Sequence, residues 1–243
     1  MKIISLLVSL VLSFNVNAQN TIEFVVSASA GGPNDIVTRK IVEALEQHTK
    51  LKFVVFNKPG ASHTLAYNYI INSDKPLLIM STPEISKHPV HTQVDELYNV
   101  GYFTNTLFVS EKSGIKSLKQ LEDISKSRDI LFGHGGHGTY SYMAMNIVCE
   151  KTLRCLQIPY KSGASGMLAV MTGEIDAYAI ANYGVKHFFE NTKITPISEI
   201  KATRDKSWFK LFSKNVSAKD TEIIVNVLAS QDIKFYKDMG FEK

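Results

Sequence analysis

Between Leu131 and Met145 the chain reads Leu-Phe-Gly-His-Gly-Gly-His-Gly-Thr-Tyr-Ser-Tyr-Met-Ala-Met, with four glycines inside six residues. A short apolar lead-in, Ile130 to Phe132, precedes the glycines, and Thr139 or Ser141 stands where a helix starting near Tyr140 needs a cap. The stretch therefore predicts a strand, a tight turn and a helix N-terminus. Glycine lets the backbone approach a ligand closely, and the first N–H groups of a helix lack internal partners and lie at the positive end of its dipole. Such a turn suits an anion. A shorter version stands near the front, where Ile22 to Val26 leads through Ser27 to Ala30 into Gly31-Gly32-Pro33-Asn34-Asp35 and a helical run. Two anion-facing turns in one chain point to two walls of a cleft.

Residues 1–18 read as a cleavable signal peptide: Lys2 is the basic start, Ile3 to Phe14 the apolar centre, and Val16-Asn17-Ala18 the small-residue cleavage pattern. The mature chain is expected to begin at Gln19 and to work in the periplasm or outside the cell. The apolar run is short for a bilayer span, and no basic stop follows it. A formal charge of +4, one unit of it from Lys2, is too small and too dispersed to argue for nucleic acid. Two cysteines, Cys149 and Cys155, are present. In an oxidising compartment their spacing fits a disulfide, fits two small buried thiols equally, and excludes a CxxC redox pair.

In order, Thr21 to Val26 reads as a strand and Pro33 to Glu46 as a helix with Ile36, Val37, Ile41, Val42 and Leu45 on its buried face. Phe53 to Phe56 and Leu77 to Met80 are further strands around a helix from Thr64 to Ile71. This alternation predicts a parallel sheet covered by helices. Val100 to Val109 is extended, Ser113 to Ile124 a turn and helix, Leu156 to Ile158 a strand, Met167 to Thr172 a helix, and Ile175 to Ile180 a strand. Helices Asp220 to Leu228 and Ile233 to Met239 close the chain. The plan is α/β with two lobes, each built on a mostly parallel βα-type sheet with a ligand cleft between them: residues 19–105 as lobe 1, completed by about 205–243, and 106–204 as lobe 2.

Six motifs in this order resemble the extracytoplasmic solute receptors of tripartite tricarboxylate transporters, the Bug proteins, of type II periplasmic-binding-protein architecture. They are Ala30-Gly31-Gly32-Pro33-Asn34-Asp35 followed by Arg39; Asn57-Lys58-Pro59-Gly60-Ala61; Gly136-His137-Gly138-Thr139; Pro159-Tyr160-Lys161 running without a gap to Gly173-Glu174-Ile175-Asp176; Pro196-Ile197-Ser198-Glu199; and Ser207-Trp208-Phe209. The resemblance spans about residues 21 to 212. It implies a small organic carboxylate as ligand, held largely by loop backbone groups and water, and membrane transporter subunits as partners. Ser27-Ala28-Ser29 replaces the family's proline-bearing approach, Ser162-Gly163 inverts its usual order, and Tyr142 stands where histidine is frequent.

The candidate ligand contacts are Ala30, Gly31, Gly32, Asn34, Asp35, Ser81, Thr82, Gly136, His137, Gly138, Thr139, Tyr160 and Asn182. Ser81 and Thr82 follow a strand, where open α/β sheets place ligands. Asp35 equally suits a bond within the first turn of its own helix. Asn182 matches the family's asparagine only with one residue inserted after Asp176. Lys161 suits a ligand or an acidic side chain. His134 and His137 lack a third ligand of metal spacing, so no metal or cofactor is expected. No nucleophile elbow, Walker lysine or HExxH helix is present, so the chain is expected to be a monomeric binding protein rather than an enzyme. A periplasmic enzyme for a small anion, and a receptor uncoupled from transport, are the alternatives.

Overall fold

In the computed structural model, residues 21–137, 139–151, 153–183, 194–200 and 208–242 are described. The expected signal peptide and Gly138 lie outside them. Ten strands form two five-stranded sheets. In the first, β1 (Thr21–Val26) lies between β2 (Lys52–Asn57) and β3 (Leu77–Ser81), both parallel to it. Beyond β3 come β10 (Trp208–Lys214) and then β4 (Asp95–Tyr102), each pairing antiparallel with its neighbour, for the order β2-β1-β3-β10-β4. The second sheet repeats the plan as β7 (Cys155–Pro159), β6 (Ile130–His134), β8 (Ala177–Ala181), β5 (Asn105–Ser110) and β9 (Ile194–Ile200). Strands β7, β6 and β8 are parallel, and β5 is antiparallel to both β8 and β9. Each sheet thus has four strands running one way, and the reversed fourth strand is the one that arrives from the other lobe.

Period-two alternation assigns the faces. In the first lobe Ile22 and Phe24 of β1 pack with Val37, Ile41 and Leu45 of α1 (Pro33–His48), and with Ile224 and Leu228 of α6 (Ala218–Ser230) and Tyr236 of α7 (Ile233–Asp238). Val25, on the other face, packs with Ala66, Tyr67 and Ile70 of α2 (Thr64–Ile71). In the second lobe Leu107 and Val109 face Leu121 of α3 (Leu118–Ser125) and Ala144, Met145 and Val148 of α4 (Tyr140–Lys151), while Phe108 faces Met167 and Val170 of α5 (Gly163–Thr172).

The expected β1, α1 and α2 fall where the sequence pattern puts them. The extended run read from Val100 to Val109 is two strands, parted at Phe103 and Thr104 where the chain crosses between lobes. Strands β9 and β10 carry no clear alternation in sequence. β9 holds Pro196 within the strand, a residue confined to edges because it cannot donate to the ladder, and β9 is indeed an edge.

Where the lobes meet, aromatic side chains fill the junction. Tyr183 stacks on Phe209 (4.5 Å between centroids) and Phe241 (5.2 Å), and packs edge-on against Phe103 (4.9 Å), which also meets Tyr140 (4.7 Å). The tail is sewn to the crossover, since Tyr102 and Glu242 exchange backbone hydrogen bonds of 2.7 and 2.8 Å. Gly240 (φ +94°) passes so close to Asn182 that a Cβ there would lie 2.5 Å from its carbonyl oxygen.

Cys149 and Cys155 are joined as a disulfide that ties the end of α4 to the start of β7. A loop this short restricts the unfolded chain by about 2 kcal/mol on the loop-entropy account. The double variant Cys149→Ser/Cys155→Ser is expected to lose about that much stability in urea titration, and added dithiothreitol should lower the wild-type midpoint while leaving the variant's unchanged.

Candidate ligand-binding site

Parallel strands deliver their C-terminal turns to one edge, and the two sheets turn those edges toward each other. A cleft opens between them, lined from the first lobe by Ser27, Ala28, Pro33, Asn34, Gly60, Ser62, His63 and Thr82, and from the second by Gly135, Thr139, Tyr140, Ser141, Lys161, Ser162, Gly163, Tyr178, Ile180 and Ala181, with Tyr183 at the junction. Its volume, taken as space open to a water centre, is about 100 Å³. One water needs ~10–15 Å³ on that measure, so the cleft has room for a small molecule.

The first turns of three helices border this space. At α1, Pro33 occupies the position where a missing N–H costs nothing. Asn34 accepts the Tyr183 hydroxyl on Oδ1 at 2.8 Å, which leaves its NH₂ as a donor toward the cleft. At α4, Thr139 is the cap, its Oγ1 accepting from the Tyr142 N–H at 3.3 Å. Ser141 Oγ takes the Gly135 N–H at 2.8 Å and lies 3.1 Å from Thr139 Oγ1. At α5, Ser162 and Ser165 form a reciprocal capping box, and the Gly163 and Ala164 N–H groups keep no protein acceptor among the described residues. Among largely apolar lining atoms, donors are therefore available from the Asn34 amide on one wall and from the α5 N–H groups on the other.

Charge agrees with that pattern. Lys161 is the lining residue with a formal charge, and it is exposed, with no ion pair or hydrogen bond among the described residues. Among the described residues no carboxylate lines the cleft. Tyr178 is fully enclosed, and burial pushes its hydroxyl up to about 12, so it faces the cleft as a neutral group.

Of the residues singled out in sequence, Asn34, Thr82 and Thr139 line the cavity, and Ala30, Gly31, Gly32, Asp35, Ser81, Gly136, His137, Tyr160 and Asn182 do not. Asp35 is buried and fastens its own loop. It accepts from the Gly31 N–H (2.9 Å), Asn57 Nδ2 (3.0 Å) and Arg39 Nε (3.0 Å). Burial works against its charge, but Arg39, the Gly31 N–H and Asn57 outweigh it and hold the carboxyl below its usual range. Just past the ends of β3 and β7, adjacent side chains turn different ways. Ser81 Oγ turns inward to the Tyr67 hydroxyl at 2.7 Å while Thr82 lines the cleft. Tyr160 turns to Glu174 Oε1 at 2.8 Å while Lys161 lines it. Asn182 accepts Thr106 Oγ1 at 2.6 Å on Oδ1 and donates to Thr104 Oγ1, bracing the crossover. His134 Nδ1 accepts the Gly136 N–H at 3.0 Å, so it is neutral and shapes the turn; burial, then nearby His137, lowers its pKa. His137 is exposed over Tyr142, 4.4 Å between rings. Among the described residues no three His, Cys, Asp or Glu side chains gather in a way that could hold a metal.

Sequence reasoning did not single out Ser62 and His63. Gly60 (φ +119°) is followed by Ala61, Ser62 and His63 at φ +47°, +50° and +74°. Left-handed backbone costs non-glycine residues about 1–2 kcal/mol each, and such strain gathers where a side chain must be aimed. Ser62 meets the opposite lobe: a Cβ on Gly136 (φ +104°) would lie 2.6 Å from its Oγ. The lobes are in contact here and at Pro33, whose Cδ would be 3.7 Å from a Cβ on Gly163.

Two lobes of like topology, joined at crossovers and facing each other across a donor-lined cleft, define a two-lobed solute-binding fold. Residues 37–228 match the tripartite tricarboxylate transporter family receptor, and the chain belongs to that family. No curated protein sequence is similar enough to count as a match. Among solved structures the periplasmic binding protein BugD is 19% identical, with 90% of this chain and 86% of that one covered at a TM-score of 0.78. Rpa4515 of R. palustris, solved with adipate, is 20% identical over 91% and 88% at 0.80. MatC (Rpa3494) from Rhodopseudomonas palustris, with bound malate, is 16% identical over 90% and 88% at 0.72. These likenesses confirm the fold.

Two expectations follow from this geometry. Asp35→Ala should cost about 2 kcal/mol or more at pH 7, since buried donors lose their acceptor. Because the folded carboxyl titrates below its unfolded value, that stability is present above about pH 4 and is lost as pH falls through the folded pKa. Urea titrations should therefore show the gap between wild type and variant narrowing as pH falls below about 4. Gly136→Ala, which adds both a clash with Ser62 and about 1–3 kcal/mol of backbone strain, should favour the open arrangement. Small-angle scattering would show a larger radius of gyration than wild type under saturating ligand.

Proposed function

We propose that this receptor works outside the cytoplasm, closing its lobes around a small organic carboxylate and presenting it, as a monomer, to the membrane subunits of a tripartite tricarboxylate-type transporter. The observation that carries the reading is a cleft with no acidic side chain among its described lining residues, bordered by three helix N-termini and by Lys161, which has no ion pair among the described residues. Backbone N–H groups at helix starts favour an anion, and an unpaired ammonium adds a point charge for it. Missing acidic side chains tell against ligands with a free ammonium group. The cavity volume suits acids of the size of malate and adipate, the ligands of two structural relatives. Contact with both lobes is what lets such a ligand stabilise the closed state, because a ligand shifts an equilibrium only through its differential affinity.

The test is a thermal-shift screen of mono-, di- and tricarboxylates against amino acids, followed by calorimetry. At least one acid should raise the melting temperature, with no response to amino acids. Lys161→Ala should weaken the best acid by roughly tenfold, as expected for about 1.4 kcal/mol from one charge-assisted bond. A folded protein that responds to no acid would overturn the proposal.

A further inference from the structure

His63 is the cleft residue whose chemistry a plain carboxylate leaves unused. Its ring lines the cavity from the first lobe, and Nδ1 lies 3.1 Å from the Ser27 carbonyl oxygen. A carbonyl can only accept, so Nδ1 carries a proton. Burial lowers the imidazole's pKa, with the bond to Ser27 acting the other way, so the ring is neutral and Nε2 bears a lone pair. Nε2, on the far side of the ring from Ser27, has no hydrogen-bond partner among the described residues. The same cleft holds donors: Lys161, the Asn34 NH₂ and the first N–H groups of α5. The ring is also aimed at some cost, since His63 ends the three-residue left-handed run and packs against Tyr67, 6.1 Å between rings. An acceptor held at such a position needs a donor from the ligand.

We propose that the ligand is a hydroxycarboxylate, whose hydroxyl donates to His63 Nε2 on the first lobe while its carboxylate is held by Lys161 and the α5 N-terminus on the second. This rests on the carboxylate reading above and narrows it. The two groups of one molecule then engage opposite lobes, and the hydroxyl becomes part of what draws the cleft shut. A succinate-like acid fills the same volume but leaves Nε2 desolvated and unbonded. A site that hydrogen-bonds a hydroxyl discriminates against the analogue without it for that reason.

The experiment is calorimetry with matched pairs that differ by one hydroxyl: malate against succinate, lactate against propionate, and 3-hydroxybutyrate against butyrate. Wild-type protein should bind the hydroxylated member of its best pair at least about fivefold more tightly. His63→Gly, which suits the left-handed backbone, and His63→Asn, which tolerates it, should both erase most of that preference, read as the affinity ratio within the pair. Nitrogen-15 spectra of histidine-labelled protein supply a second readout: Nε2 should report an unprotonated nitrogen in the free protein and shift with the hydroxy acid but not with its partner. Equal affinities within every pair would overturn this inference and leave the carboxylate reading standing, as would a preference that survives in both variants. Failure of every acid to bind would overturn both.

Discussion

Strand direction is the constraint on which the rest of this molecule depends. In each sheet three neighbouring strands run parallel, so every βα turn, with the helix start behind it, is delivered to the same edge. Two such edges face one another because the chain crosses between lobes there, and the fourth strand of each sheet is the reversed one that comes from the other side. Helix N-termini that would otherwise be solvated scattered ends become two opposed rows of donors. The binding chemistry follows from topology before any particular side chain is considered.

The side chains then divide the labour. Charged residues are mostly consumed in holding loops: beside the cleft Asp35 ties the first turn to α1 and Asn57, and at the far end of β6 Asp176 ties Arg128 and the Leu131 N–H. His134 and Thr139 shape the glycine turn from within. What remains lining the cleft among the described residues is neutral apart from Lys161, with tyrosines and aliphatic side chains between the hydroxyls and helix starts. Such a site places one exposed ammonium beside backbone donors instead of a buried pair of protein charges, whose desolvation is costly. The aromatic cluster of Phe103, Tyr183, Phe209 and Phe241 supports the junction through stacking rather than through charge.

Much of the fold was legible in the chain because local rules and global packing agree over its first third. β1 and α1 carry strong period-two and period-3.6 patterns, and both lie where those patterns predict. The antiparallel members β9 and β10 were not legible, since their identity depends on partners more than a hundred residues away for β10 and β4, and about ninety for β9 and β5. Within the site, which residue of an adjacent pair enters the cleft is set by the turn just beyond a strand end, where sequence spacing gives no rule. Thr82 rather than Ser81, and Lys161 rather than Tyr160, face it. Ser62 and His63 carried no signal, because their exposure to the cleft comes from three successive left-handed residues that no propensity rule anticipates.

By itself, the sequence determined the alternation of strands and helices, the two glycine-bearing turns, and the ordered set of motifs that places the chain among tripartite tricarboxylate transporter receptors. Those are local properties, written in spacing and in residues that few backbones tolerate elsewhere. Only the tertiary structure decided which residues meet across the lobes: Ser62 against Gly136, and Tyr183 against Asn34. Such contacts join residues about seventy to a hundred and fifty positions apart, and nothing in local spacing encodes them. They arise when packing of two separate cores fixes where the surfaces of the lobes come together.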